Sequence, residues 1–333
     1  MKGKLHGNSV VLRTYGIAIA LVILIAIVTA AQPSFLNYRN QMNILSQWAP
    51  TGIMALGMTY VIITGGFDLS IGAIFTLSGV TAAGLGRGHP VIMAFTVGVA
   101  VAIGLGLLNG LLINYGRINP FIATLGTSFA IIGMTLVVTN NVAFVVDNPD
   151  FATLGAHRWH SVPYSGMVLI AGIVIGALVL SRTVYGQKIY AVGGNSEASR
   201  LSGIRVKWIS VSAYVLSGFT AGLAGIISAS QLSSAQPTEN STVVFDVITI
   251  VVVGGTSLAG GFGAVWRTVV GLAILATLQN GFNLLNINPN YQNIVKGVII
   301  VGALALDSVT GRMANSRAAK SPSNTVKPAD PVV

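Results

Sequence analysis

The 333-residue chain contains no cysteine. That absence excludes disulfides, thiolate nucleophiles, haem-attachment motifs and cysteine zinc sites. Charge is nearly as scarce: Asp, Glu, Lys and Arg make up 8% of the residues, where an ordinary soluble domain carries about 25%. Too few charges remain to coat a water-facing surface. Histidine occurs four times, at His6, His89, His157 and His160, all in the N-terminal tail or in loops between apolar runs. A Ser–His dyad inside a span is therefore excluded. His157 and His160 have neither cysteine nor a carboxylate set beside them, which leaves no metal site. No G-x-x-x-x-G-K-[ST] occurs, so the chain does not hydrolyse ATP through a P-loop. Gly126-Thr-Ser128 and Gly255-Thr-Ser257 begin like a nucleophile elbow but do not complete G-x-S-x-G. Nothing points to an enzyme.

Apolar residues, in contrast, make up 53% of the chain, and 40 glycines lie mostly within the apolar runs. Small residues there let helices approach closely. A helix rising about 1.5 Å per residue needs roughly 20 apolar residues to cross a hydrocarbon core about 30 Å thick. Ten stretches read as spans: 16–31, 43–64, 69–86, 91–115, 120–139, 165–181, 208–230, 243–259, 263–282 and 292–310. Continuous apolar runs predict helices rather than barrel strands, which alternate. The expected fold is an all-α membrane protein of about ten transmembrane helices. Its parts are a cytoplasmic N-terminal tail (1–15), a transmembrane domain (16–311) and a disordered cytoplasmic tail (312–333).

The net charge of +10 would suit an anionic partner if it were clustered. Short cytoplasmic loops collect Lys and Arg, and with the N-terminus inside, fourteen of the eighteen basic residues fall on the cytoplasmic side. Arg39, Arg87, Arg158 and Lys296 are left on the other. The excess is a topology signal with both termini cytoplasmic, and no nucleic-acid partner is expected. Lys2, Lys4 and Arg13 ahead of an apolar core ending at Ala31 resemble a signal peptide; the first helix is expected to be retained.

Ionisable residues within spans are functional candidates, yet Asp68, Asp246, Lys296 and Asp307 all fall at span ends. A coupling carboxylate at mid-depth is missing, which weighs against an ion-coupled secondary transporter of a small polar solute, the main alternative. In Gly65-Gly66-Phe67-Asp68-Leu69-Ser70-Ile71-Gly72, paired glycines end one helix and Asp68 is placed to cap the next. The same G-G-x-x-L-x-x-G frame recurs at Gly254-Gly255, and both turns are candidate gating joints. In the loop 182–207, Asn195 or Ser196 caps a short helix, Glu197 lies at its positive end, Ala198 and Leu201 share a face, and Gly203 stops it. This is a candidate docking helix for a cytoplasmic partner. Asn109, Asn280 and Asn283 are candidates for a substrate path.

Tyr190-Ala-Val-Gly193-Gly194-Asn195-Ser-Glu197-Ala-Ser-Arg200-Leu201-Ser-Gly203-Ile204 resembles the coupling-loop signature of ribose/xylose/arabinose-type sugar ABC importer permeases. Gly65–Gly72 is similar to their GG-[IF]-DLS-[IV]-G segment. Asn119-Pro-Phe-Ile-Ala-Thr-Leu-Gly126, Ser234-Ala-Gln-Pro237, Val253-Gly-Gly-Thr-Ser-Leu258, Asn280-Gly-Phe-Asn-Leu-Leu285 and Ile294-Val-Lys-Gly297 match in the same order, over nearly all of 40–310. The resemblance implies an inner-membrane, multi-pass permease for a pentose or hexose that works by alternating access, paired with a second copy or a paralogue. A cytoplasmic ABC ATPase carrying ATP and Mg would dock near Glu197–Arg200. A periplasmic sugar-binding protein would deliver substrate, and this chain would carry no cofactor. One departure is Arg267, where similar proteins generally have glycine; at the cytoplasmic end its guanidinium is expected to reach lipid phosphate or a partner carboxylate.

Overall fold

The computed structural model describes residues 2–238, 242–288, 290–299 and 301–302. The helices are α1 (Lys2–Ala31), α2 (Tyr38–Ile63), α3 (Ile71–Gly86), α4 (Val91–Asn114), α5 (Pro120–Thr139), α6 (Thr153–Ala156), α7 (Tyr164–Arg182), α8 (Val184–Gly194), α9 (Ser196–Leu201), α10 (Val206–Leu232), α11 (Val243–Val253) and α12 (Val265–Leu284). Residues 290–299 are helical as well. The polar tail assigned to 312–333 and the second half of the last apolar run lie outside the described residues. Four helices, α4, α5, α7 and α10, are long and apolar enough to cross a membrane; Tyr15–Ala31, α3 and α11 are apolar but shorter.

α10 is the central helix, packed against α2, α3 and α4. Its small residues set these contacts. A methyl group on Gly218 would collide with the Ala102 carbonyl of α4, and one on Gly225 with the Phe75 carbonyl of α3. Glycine thus allows backbone-to-backbone packing where lipid tails give side chains no hydrophobic incentive to pair. The outer faces of α4, α5 and α7 are apolar and exposed, as at Ile92, Phe129, Val137 and Ile175. α1 runs alongside α12 in the same direction, with the Tyr15 and Trp266 rings 6.3 Å apart at one end and Val28 against Gly281 at the other.

Three expectations need correction. The run 243–259 is not one helix, because α11 ends at Val253, where Gly255 turns the backbone left-handed at φ 81°. The repeat frame is offset by one: the left-handed residue is Gly65 (φ 79°) after α2 but Gly255 after α11, so Gly65 corresponds to Gly255 rather than to Gly254. The loop 182–207 holds a second helix, α8, whose N-cap Thr183 accepts from the Gly186 amide. At the opposite end, α6, a long-range antiparallel pairing of Phe144–Val145 with Ser234–Ala235 and a short hairpin of Arg158–Trp159 with Val162–Pro163 cover the bundle.

Candidate functional site

The site is built at the end of the bundle where α2, α8, α9, α11 and α12 meet. α9 is an exposed helix whose two ends carry their own signals. Asn195 accepts from the Ala198 amide at 2.9 Å, and Gly203, at φ 83°, closes the C-terminus by donating to the Arg200 carbonyl. Arg200 grips Glu197 through two guanidinium nitrogens, at 2.6 and 3.0 Å. That hydrogen bonding holds the Glu197 carboxyl below the ordinary carboxylate range and pushes Arg200 up. Leu201 is 75% exposed beside them. A charged pair with an uncovered leucine gives this helix a contact face.

α9 follows a glycine junction. The Gly261 amide donates to the Ile63 carbonyl, the last residue of α2, at 2.8 Å. Gly193, at the end of α8, lies against the same carbonyl, and a methyl there would collide with it and stand 2.6 Å from the Gly261 nitrogen. A methyl on Gly260 would lie 3.0 Å from the Gly65 Cα, and one on Gly261 2.7 Å from the Gly194 Cα. Gly65, the pair Gly193-Gly194 at the end of α8 and the loop pair Gly260-Gly261 therefore press backbone on backbone. The sequence alone pairs Gly65-Gly66 with Gly254-Gly255 and gives no reason to join either to Gly193-Gly194. Their common signal was a Gly-Gly pair in each of three loops assigned to one face of the membrane. Gly254 belongs to a neighbouring contact, facing the Arg267 carbonyl.

From this junction the chain runs into the turn 65–70, which is fixed from four sides. Asp68 is fully buried. Its Oδ1 accepts from the Ser70 amide at 3.0 Å and from the Ser70 hydroxyl at 2.6 Å, and Oδ2 accepts from the Ser217 hydroxyl of α10 at 2.8 Å. Asp68 thus closes the turn locally, but Ser70 rather than Asp68 occupies the N-cap position of α3, and Asp68 also ties the turn to a helix 149 residues away. Tyr214 of α10 adds bonds to the Phe67 backbone, and Thr124 of α5 accepts from the Leu69 amide. Gly72 lies in the first turn of α3, which begins at Ile71.

The three asparagines proposed for a substrate path are not brought together. Asn109 of α4 donates to the Ser70 hydroxyl at 2.7 Å, while its buried Oδ1 has no partner among the described residues. Asn280 of α12 exchanges two hydrogen bonds with Asn40 of α2, and Asn283 accepts from Gln292. Arg267 also departs from expectation. It is 9% exposed and turned inward, its guanidinium 4.9 Å from the centres of the Phe262 and Trp266 rings. Ring faces are a favourable place for a guanidinium.

Residues 40–304 match the family model described as branched-chain amino acid transport system / permease component. The chain belongs to this family: it is a multi-pass permease component of the inner membrane. It is 42% identical to the ribose import permease protein RbsC of Bacillus subtilis over 300 residues, 89% of this chain and 93% of the relative. RbsC of Escherichia coli K12 is 43% identical over 297 residues, 87% and 92% of the two chains. The L-arabinose transport system permease protein AraH of E. coli K12 is 32% identical over 301 residues, 88% and 90%. No solved structure matches the chain.

Proposed function

We propose that this chain is the translocating subunit of an ATP-driven, binding-protein-dependent importer of a monosaccharide, of the pentose or hexose class. The observation that carries the reading is the direct continuity of α9 with the glycine junction. An exposed, capped helix is joined within two residues to a close-packed contact between α2, α8 and the α11–α12 loop. A force applied to α9 by a cytoplasmic ABC ATPase has a rigid route to the turn 65–70 and hence to α3, α5 and α10. Rigid packing of this sort favours two discrete arrangements over gradual bending, as alternating access requires. ATP and Mg would be bound by the partner, since this chain has no phosphate-binding loop. Ten spans with both termini cytoplasmic, a second permease copy or paralogue, and a periplasmic sugar-binding protein complete the assembly.

The monosaccharide class rests on the names of the relatives, two of which import ribose and one of which transports L-arabinose. The test is uptake by vesicles holding this chain with its ATPase. Ribose uptake should require ATP and the binding protein and should be unaffected by collapsing the proton and sodium gradients. Uptake driven by either gradient without ATP would overturn the proposal.

A further inference from the structure

The end of the bundle opposite α9 holds two adjoining hollows of about 440 and 470 Å³, which share Asn43 and Arg158 as walls. Both are open to solvent rather than enclosed. We propose that they form the entry subsite for substrate, and that Asn43 and Gln47 of α2 with Gln231 of α10 bind the hydroxyl groups of a monosaccharide there. This rests on the importer reading above.

From Trp48 to Ile63 nearly every residue is buried, whereas Asn43 and Gln47, one helical turn apart, are exposed. A lipid-facing turn would be apolar, as α5 is at Phe129 and Val137, because an amide pays a desolvation cost in hydrocarbon. A face of two primary amides instead suits a water-filled path. Other side chains frame it. Arg158 reaches over from the Arg158–Pro163 hairpin to donate to Asn43 Oδ1 at 2.8 Å, and Gln231 Nε2 is held by the Ser46 carbonyl at 2.9 Å. Asn43 Nδ2, Gln231 Oε1 and the whole Gln47 amide have no hydrogen-bond partner among the described residues. The Gln47 amide offers both donors and an acceptor, while Asn43 adds a donor and Gln231 an acceptor, the complement of sugar hydroxyls, which are both. Asn280 and Asn283, in contrast, spend their amides on Asn40 and Gln292.

The lining also selects between substrate classes. Tyr38, Met42 and Ala156 supply the apolar surface of the hollows and polar side chains the rest, a mixture that suits a sugar, with its hydroxyls and ring face, better than a branched aliphatic side chain. Docking of the binding protein alone would require complementary groups on the rim, where Arg39 and Arg158 lie, and would not require amides a further turn down α2.

The test uses the complete importer in vesicles, with ribose as the probe and ribose-loaded binding protein as the varied component. For Asn43→Leu and Gln47→Leu, the maximal uptake rate should fall about tenfold or more. The concentration of loaded binding protein giving half that rate should stay within about twofold. An unchanged maximal rate overturns the proposal; if the half-saturating concentration rises at the same time, the hollow is a docking surface instead. Should Gln47→Leu fail to assemble, Gln47→Asn, which keeps the amide on a shorter stem, should transport at an intermediate rate, and full activity there counts against the assignment. Because the chain has no cysteine, Gln47→Cys places a unique thiol in the hollow. A membrane-impermeant maleimide added outside should label it, and lack of labelling would refute a water-filled entry. If the wild-type assembly moves no ribose with ATP and binding protein, the importer reading itself fails, a result distinct from any of these.

Discussion

The amide of Gly261 donates to the carbonyl of Ile63 at 2.8 Å, joining the α11–α12 loop to the last residue of α2. Gly193 packs on the same carbonyl. The end of α8, just ahead of α9, is thus in backbone contact with the two turns that lead into α3 and α12.

This contact predicts a contrast between adjacent glycines. Gly193→Ala would drive a methyl into the Ile63 carbonyl, whereas a methyl on Gly194 meets nothing within 4 Å. Gly193→Ala should lower the unfolding temperature in detergent, at a cost of about 1–3 kcal/mol for overpacking, and should reduce ATP-driven uptake. Gly194→Ala should be close to wild type in both measurements.

Asp68 and Ser217 should be energetically coupled. Leaving a buried hydrogen-bonding group without its partner costs about 1–3 kcal/mol, and both residues are fully buried. In a double-mutant cycle of Asp68→Ala and Ser217→Ala, followed by thermal unfolding, the double mutant should lose less than the sum of the singles. Strict additivity would show that the 2.8 Å contact holds nothing together.

On α9, replacing Glu197 and Arg200 together with alanine should weaken association with the ATPase while leaving membrane insertion intact, as measured by co-purification from membranes. The pH dependence of the pair follows from its direction of shift. The Glu197 carboxyl is depressed by Arg200, so the pair's contribution is fully present above the ordinary carboxylate pKa of about 4.3 and is lost only as pH falls through the depressed value. Between about pH 6 and 8 the pair should therefore give association no pH dependence. Normal assembly and uptake in the double variant would remove α9 from the docking role.

Lys296 and Asp246 meet at 2.9 Å with side chains about one fifth exposed, 18% and 20%. Removing one partner strands the other in a poorly solvated place, at about 1–3 kcal/mol once their partial exposure is discounted. Asp246→Leu or Lys296→Leu alone should destabilise the protein more than the two changes combined, read as the unfolding temperature in detergent.

The sequence by itself determined what depends on local composition. A charge content too low for a soluble surface and recurrent apolar runs defined a helical membrane protein, and the ends of α5, α7 and α10 fall within about two residues of the runs that predicted them. The cap and stop of α9 were legible because Asn195 and Gly203 act on backbone groups within four residues of themselves. Tertiary structure decided the rest. Whether Asp68 serves its own turn alone or also reaches α10 depends on Ser217, and no local pattern brings the two together. Arg267 lies beside two rings close to it in the chain, Phe262 and Trp266, but its burial against the Gly254-Gly255 turn is tertiary, although its position near a basic membrane face favoured an outward reading. An asparagine looks the same in sequence whether its amide is spent on Asn40 or left open like that of Gln47. The glycine junction has the same origin: close backbone approach is a property of three segments at once, and only the folded chain brings Gly65, Gly193 and Gly261 to one place.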